Sequence, residues 1–414
     1  MNANQLTVVG GVYGEECGYP RVTLTRGSGG RASIFLASGG VSVTLNSHLG
    51  TQFESEFRRL SETFKFQLNY SSAEYDCWFR YRHPLSTPRI FKLNKSSPSS
   101  CKKTTEIHST KAIVFGMLEG RPVLHGQKVV YDPQDGCNAD PFDINGSSAE
   151  SLAIVASLSE GIALTGESEP EKIVSKLLKT ADVVIIKCGA QGALVATKTQ
   201  SQWISPFPSK RVFKIGSGDI FTASFGYAWL LKNVDPFDAA WFSSYAVSKY
   251  VETGIDIISP ALLDDMLVES LQSQVSRSQK GIRAIPSTQI YLAGPFFNTA
   301  QQWLIDEARS ILRDFGFNVF SPIHDVGEGD VNAVASADLK ALQESGIVIA
   351  LLDGLDPGTI FEIGYARALE IPVVVAAENV SASDLTMIIG SGCEVTDDFA
   401  TAIYSTCWHL MGDV

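Results

Sequence analysis

The sequence predicts an α/β protein built from two parallel-sheet domains, a large one with a small lid and a smaller doubly wound one. Three observations carry this expectation. Short runs rich in Val and Ile alternate with stretches of helical periodicity, the rhythm of parallel strands covered on both faces. The rhythm stops near residue 258 and restarts on a smaller scale after residue 287. A chain of 414 residues is also too long for one ordinary core. The expected boundaries are 1–258 for the first domain, 259–287 for a connecting helix and linker, and 288–414 for the second.

In the first domain an apolar strand is expected at Leu6–Gly11, then the turn Arg26-Gly-Ser-Gly-Gly30, an apolar helical stretch from Ala32 to Ala37 and a strand at Val41–Leu45. Cys77–Arg82 is aromatic and basic, and 94–105 is rich in Ser and Lys, which reads as a lid followed by a mobile loop. Further strands are expected at Ala112–Phe115, Lys128–Tyr131, Ile162–Leu164, Val183–Lys187 and Ala193–Ala196. Helices are expected near Ser148–Ala156, Glu169–Thr180, Gly218–Lys232 and Pro236–Glu252, and an amphipathic one at Pro260–Ser278 runs into a linker, Arg277–Pro286. The second domain reads as strands Gln289–Ala293, Asn318–Phe320, Ile347–Leu352 and Pro372–Ala376. Between them fall helices Thr299–Phe315, Ala335–Glu344 and Ile360–Leu369.

Composition narrows the function classes. Hydrophobic residues make up 44% and charged ones 19%, a globular balance. A formal charge of −12 and a pI near 5.0 argue against an extended nucleic-acid partner, but not against a nucleoside or nucleotide in a local pocket. The basic aromatic stretch Trp78–Arg82 is therefore read as lid or dimer surface. Seven cysteines without a C-x-x-C pair suggest free thiols in a reducing compartment. A polar start and the lack of an apolar run approaching ~18 residues point to a soluble, cytoplasmic protein without membrane contact. His83, His108 and His324 show no ligand spacing, so no structural metal is expected.

Polar clusters stand where strands of the second domain end, the crevice in which open α/β sheets bind ligands. They are Tyr291-Leu-Ala-Gly-Pro-Phe-Phe297, Asp338, and Asp353-Gly-Leu-Asp-Pro-Gly-Thr-Ile-Phe-Glu362. Thr359 is a plausible N-cap, which would put Glu362 at N3; the plain alternative is a capping box, Thr359-x-x-Glu362, with no chemistry. Together with Ser321-Pro-Ile-His324 and Leu385-Thr-Met387, these strings resemble the nucleoside 2-deoxyribosyltransferase family over about 290–377. The resemblance implies that Glu362 captures C1′ of the sugar, that Tyr291 orients it, and that Asp338 and Asp356 face the sugar or base and handle the leaving base's proton. Gly294, Pro295, Phe296, Gly358, Thr359 and Met387 would line the substrate, with no cofactor. Leu385 stands where the family usually carries an Asn that completes a neighbouring subunit's site, so water and a second base both remain as acceptors.

In the first domain Gly216-Ser-Gly-Asp219 opens a helix, an arrangement that offers backbone N–H groups to an anion and an Asp to a hydroxyl. With Gly29-Gly30, Tyr131-Asp-Pro133 and Lys187-Cys-Gly-Ala-Gln-Gly192, it resembles the PfkB carbohydrate kinase family, of ribokinase-like fold, over about 6–252. The resemblance implies ATP and Mg²⁺ as cofactors and Asp219 as general base. Gly216, Ser217, Gly218, Lys187, Gly189, Gly192 and Glu169 would hold phosphate or nucleotide, and Glu16, Gly29, Gly30 and Ser33 the sugar. The chain departs from the family at several places: Ser33 near an Asn position, Gly166 for the Asn preceding Glu169, and Lys214 for a Thr before the anion loop.

The expected function is therefore a homo-oligomeric, bifunctional enzyme acting on a nucleoside, nucleotide or sugar. Its second domain would cleave or exchange an N-glycosidic bond, and its first would phosphorylate a sugar or nucleoside. The alternative makes the first domain a catalytically impaired ligand sensor that regulates the second.

Overall fold

The computed structural model describes residues 4–94, 106–277 and 285–412, with backbone alone for 274–277. Most of the Ser/Lys-rich loop and most of the expected linker thus lie outside the described residues. The chain divides into two compact units, Met1–Phe207 with Phe213–Gly281, and Pro208–Val212 with Ile282–Val414.

In chain order the first unit comprises β1 (Gln5–Val9), β2 (Gly14–Cys17), β3 (Val22–Thr25), α1 (Gly27–Ser38), β4 (Ser42–Leu49), α2 (Thr51–Phe64), β5 (Gln67–Ser72), β6 (Asp76–Tyr81), β7 (Arg89–Leu93), β8 (Glu106–Phe115), β9 (Val123–Asp132) and β10 (Ser148–Ser157). It continues with α3 (Leu158–Thr165), α4 (Pro170–Leu177), β11 (Val183–Lys187), β12 (Ala193–Thr197), β13 (Ser201–Ile204), α5 (Ser217–Gly226), α6 (Pro236–Thr253) and α7 (Pro260–Arg277). Nine strands form the main sheet in the order β13-β12-β11-β10-β9-β8-β1-β4-β5, parallel from β11 to β5. A separate sheet, β3-β2-β6-β7, is the expected lid. Residues of α1, α5, α6 and α7 share one apolar cluster with one face of the main sheet, and α4 covers the other face. Leu263 of α7 is fully buried in the first of these clusters, so that helix packs as part of this unit.

Two expected elements exchange identity. Ser148–Ala156, expected as a helix, is the central strand β10, and Ile162–Leu164, expected as a strand, lies in α3. The reason is burial. Leu152–Ala156 is buried on both faces between β9 and β11, so its apolar run has no two-residue alternation to distinguish it from a core helix. The helix start is set by a capping box, Ser157 with Glu160.

Strands β8, β9 and β10 are each ten residues long, yet only seven residues, 116–122, join the end of β8 to the start of β9. A straight ten-residue strand spans roughly 30 Å, and a parallel crossover normally needs a dozen or more residues. The strands solve this by bending. The ladder is interrupted at Thr110, Gln127 and Glu150, and a side chain at Gly126 would collide with Val129, three residues ahead. The first halves of these strands turn back as a three-stranded arm. Leu124 and Ile107 of the arm join Val9, Val114 and Tyr131 in one apolar cluster. In β8 and β9 the first half is partly exposed, whereas the last four residues are buried.

The second unit contains β14 (Ile290–Ala293), α8 (Thr299–Asp314), β15 (Val319–Phe320), α9 (Pro322–Asp325), α10 (Val331–Gln343), β16 (Ile347–Leu351), α11 (Pro357–Ala368), β17 (Val373–Ala376), α12 (Thr386–Gly390), β18 (Glu394–Thr396) and α13 (Phe399–Leu410). Its five strands are parallel in the order β15-β14-β16-β17-β18. The order reverses direction between β14 and β16, which makes the crevice beyond their carboxyl ends the topological switch point.

Candidate active sites

The switch point of the second unit carries Tyr291 and Glu362. Tyr291 lies within β14, fully buried and stacked on Phe320 with ring centroids 5.5 Å apart. Its hydroxyl donates to Glu362 Oε1 at 2.6 Å. Burial pushes the Glu362 carboxyl up to about 7, against the tyrosine hydrogen bond that stabilises its anion; Asp338 and Asp356 add to the rise. Asp338, on α10, has Oδ1 buried with no hydrogen-bond partner among the described residues, and burial raises its carboxyl too. Two acids in one field, each favoured in its neutral form, are the arrangement from which one ionises as nucleophile while the other keeps a proton to give.

Helix α11 begins one turn earlier than its sequence suggests. Its N-cap is Asp356, whose Oδ2 accepts from the Thr359 backbone N–H at 2.7 Å and from the Thr359 hydroxyl at 2.9 Å. Pro357, with its preset φ and no N–H to lose, supplies the first helical residue. Thr359 is therefore N3 rather than the cap, and Glu362 sits in the second turn. No capping box forms, and the Glu362 carboxylate is left for Tyr291.

The first unit gathers charge around the start of α5. Arg31, fully buried in α1, places Nη1 at 3.0 Å from Glu15 Oε1, Nη2 at 2.5 Å from Glu15 Oε2, and Nη1 at 2.8 Å from Asp219 Oδ2. Its Nε lies 3.9 Å from Asp256, which in turn pairs with Arg26 at 2.6 Å. The guanidinium lies against Gly216, and a side chain there would collide with it. Burial pushes the Asp219 carboxyl up to about 6; Arg31 opposes this, while Glu15 and Asp132 reinforce it. A second cluster is centred on Asp132, which accepts from Lys187 Nζ at 2.9 Å, Thr222 Oγ1 at 2.6 Å and Gln134 Nε2 at 3.0 Å. Burial opposes the Lys187 charge, yet Asp132 and Glu160 hold its ammonium above the ordinary value.

The family model described as nucleoside 2-deoxyribosyltransferase matches residues 290–398, and that described as pfkB family carbohydrate kinase matches residues 149–254. The chain joins a PfkB segment to a nucleoside 2-deoxyribosyltransferase segment. Similar solved structures include a ribokinase from Thermotoga maritima, at 16% identity and a TM-score of 0.49, covering 64% of this chain and 99% of that one. A PfkB protein from Polaromonas sp. JS666 shows 17% identity and a TM-score of 0.47, covering 63% and 99%. A nucleoside kinase from Methanocaldococcus jannaschii shows 15% identity and a TM-score of 0.48, covering 64% and 98%. No curated protein matches the chain.

In the deoxyribosyltransferase unit, Tyr291, Glu362, Asp338 and Asp356 thus converge. Gly294 has a packing reason of its own, because a side chain there would lie 2.7 Å from Ile305. Pro295 is buried, Phe296 is half-buried against Phe297, and Gly358 leaves room beside Asp356 Oδ2. Met387 is exposed on α12, whereas Leu385 packs in the core.

The first unit redistributes several expected roles. Strand alternation turns Glu15 inward to Arg31, while Glu16 points outward to Arg80 at 2.8 Å. Gly29 and Gly30 lie inside α1 rather than before it, and a side chain on Gly29 would meet the backbone of Gly10. The Ser33 hydroxyl donates to the Gly29 carbonyl at 2.7 Å within the helix, so it is not presented to a sugar. Gly216, Ser217 and Gly218 do open α5, and Gly189 and Gly192 take positive φ in the turn after β11. Glu169 is exposed at the N-cap of α4 and pairs with Lys172 at 2.8 Å. The acid that shares the field of Asp132 and Lys187 is Glu160, at the carboxyl end of β10. Glu169 therefore does not fit a role beside a phosphate-bound divalent cation, and both Asp132 oxygens are already taken by protein donors. Lys187 and the N–H groups opening α5 fit phosphate.

Sequence reasoning missed Glu15, Arg31, Glu160 and Glu119. The spacing Ser157-x-x-Glu160 was the available signal for one of them. Both Glu119 oxygens are buried without a hydrogen bond of good geometry. Burial pushes its carboxyl up to about 7, against a smaller pull from the backbone N–H groups of Glu119 and Leu118.

Proposed function

We propose that the deoxyribosyltransferase unit breaks the N-glycosidic bond of a nucleoside or nucleotide through Glu362. The observation that carries this reading is the 2.6 Å hydrogen bond from buried Tyr291 to Glu362 beside Asp338, whose buried Oδ1 has no hydrogen-bond partner among the described residues. Ionised Glu362 attacks C1′, and the bond to the base nitrogen breaks with its electron pair leaving on the base. Neutral Asp338 gives its proton to that base. The glycosyl ester is then opened by water, which returns a proton to Asp338, or by a second base. Tyr291 holds the carboxylate in position and tempers its basicity. Glu362→Ala is expected to lower base release by on the order of 10³-fold or more, read by mass spectrometry over a panel of nucleosides and their monophosphates. Turnover unchanged from the wild type refutes the assignment.

For the PfkB unit, the Arg31–Asp219 pair favours the sensor reading over a kinase. Arg31 Nη1 occupies Asp219 Oδ2 at 2.8 Å, so although burial raises the carboxyl to about 6, that oxygen is engaged by a cation rather than left facing a substrate hydroxyl. The unit would bind a phosphate-bearing ligand at Lys187 and the start of α5 without transferring phosphate. ATP-dependent phosphorylation of any sugar or nucleoside, abolished by Asp219→Asn, would restore the kinase reading.

A further inference from the structure

A cavity of about 240 Å³ opens in the first unit where the connections 116–122 and 133–147 leave β8 and β9. Parallel crossovers ordinarily place helices on a sheet face. Here neither connection does so: 116–122 has no helix, and 133–147 contains only a short 3-10 turn, Gly136–Asn138. The floor is apolar, formed by Val9 and Val114 of the sheet with Phe142 of the longer connection. Tyr13 and Phe79 wall one side as a stacked pair, with ring centroids 4.2 Å apart and planes 29° from parallel. Polar groups gather on the two connections: the Arg121–Asp140 ion pair at 2.8 Å and Asn138, exposed on the 3-10 turn, with Gln134, Asp135 and Asn145 also lining the cavity.

An apolar floor and an aromatic wall beside a rim of hydrogen-bonding side chains suit a planar heterocycle, whose faces are apolar and whose edge is polar, better than a free sugar, which carries hydroxyls all round. The volume lies below the roughly 300–1,000 Å³ of sites that enclose drug-sized ligands, which fits one ring system rather than a whole nucleotide. Tyr13 also borders the acidic cluster, since Asp219, Glu15 and Glu119 all act on its hydroxyl. A group attached to the ring could therefore extend toward those carboxylates.

We propose that this cavity is a nucleobase-binding site, with the ring on the Val9–Val114–Phe142 floor beside the Tyr13–Phe79 stack. It stands independently of both readings above. The test is calorimetric titration of the full-length chain with adenine, hypoxanthine, cytosine, uracil and thymine, each against D-ribose as control. Titration of a Glu362→Gln chain removes the contribution of the second unit's chemistry. Ile144→Trp fills the exposed edge of the cavity, and Phe79→Ala removes half of the aromatic stack. At least one base is expected to bind the Glu362→Gln chain. Its site is lost with Ile144→Trp and weakened at least tenfold with Phe79→Ala, while the thermal transition is retained. Base binding that ignores both cavity substitutions overturns the proposal, as does the absence of base binding or ribose binding lost with Ile144→Trp. Failure of the N-glycosidase reading leaves this result unaffected, because the site is scored in a chain without Glu362.

Discussion

Each unit holds a carboxylic acid at the mouth of its sheet, but the two acids are held in opposite ways. Glu362 has one neutral partner, a tyrosine hydroxyl, and keeps the freedom to change charge near pH 7. Asp219, pushed up to about 6 by burial, shares a buried guanidinium with Glu15, and its ionised form is part of what balances that arginine. A neutral donor positions a carboxylate while leaving its reactivity available. A full opposite charge makes the carboxylate a structural counterion. The difference teaches that an acid at the expected place in a motif says less about chemistry than the charge of its closest partner.

Breaking the buried triad should give the largest effect. Arg31→Met leaves Glu15 and Asp219 as uncompensated buried charges, and the first unit is expected to lose about 3–5 kcal/mol, seen as an earlier first transition on chemical unfolding. The same substitution joined to Glu15→Gln and Asp219→Asn should recover most of that loss. Next comes the pH dependence of the second unit. The folded-state pKa of Glu362 is raised above its unfolded value, so its ionisation costs stability as pH rises through that interval, and the full cost is present above about pH 7. Glu362→Gln should therefore stabilise the second unit by up to about 3 kcal/mol at pH 8, with the difference fading toward pH 4. Equal unfolding midpoints of the two proteins at pH 8 would contradict this.

A sharper comparison comes from Tyr291→Phe. Removing the hydroxyl removes the interaction that lowers the Glu362 pKa, so the acid limb of the base-release profile should move from near pH 7 to higher pH. The rate on its plateau should fall by about tenfold, the worth of one strong hydrogen bond. The smallest effect is expected at Glu169→Ala. Its exposed pair with Lys172 should contribute no more than ~0.5 kcal/mol, and ligand binding by the first unit should not change. A large loss of binding there would return Glu169 to the site and displace Glu160 from it.

Much of the second unit was legible because its chemistry and its local signals coincide. Tyr291 is on β14, Glu362 is on the helix that follows the neighbouring strand β16, and short βα units place both at one crevice. The cap differs, since Asp356 and Thr359 are both good capping residues and Pro357 decides in favour of the first; the expected elements also stop before β18 and α13, and α10 starts four residues earlier, at Val331. In the first unit one local ambiguity mattered. A strand buried on both faces looks like a core helix, so β10 was displaced in the reading. The resemblance separately points to Glu169, through the string Gly166-Glu-Ser-Glu169, nine residues beyond Glu160. Glu15 and Glu16 show a finer limit: which of two adjacent acids faces inward depends on the register of a strand too short to show alternation. Arg31 could not have been found locally, because its partners lie 16 and 188 residues away.

The bend at Gly126 leaves the first unit's cavity bordered by two connections rather than by a helix. A helix laid over a sheet is held by side chains and can lift as a body. The connections 116–122 and 133–147 are each tied at both ends to strands of one ladder, so their ends cannot part without unzipping β8, β9 and β10. Whatever enters the cavity must therefore pass the middle of the fifteen-residue connection 133–147, where Ile144 is exposed, or the lid side. The anchors stay fixed, and breathing belongs to the loop between them.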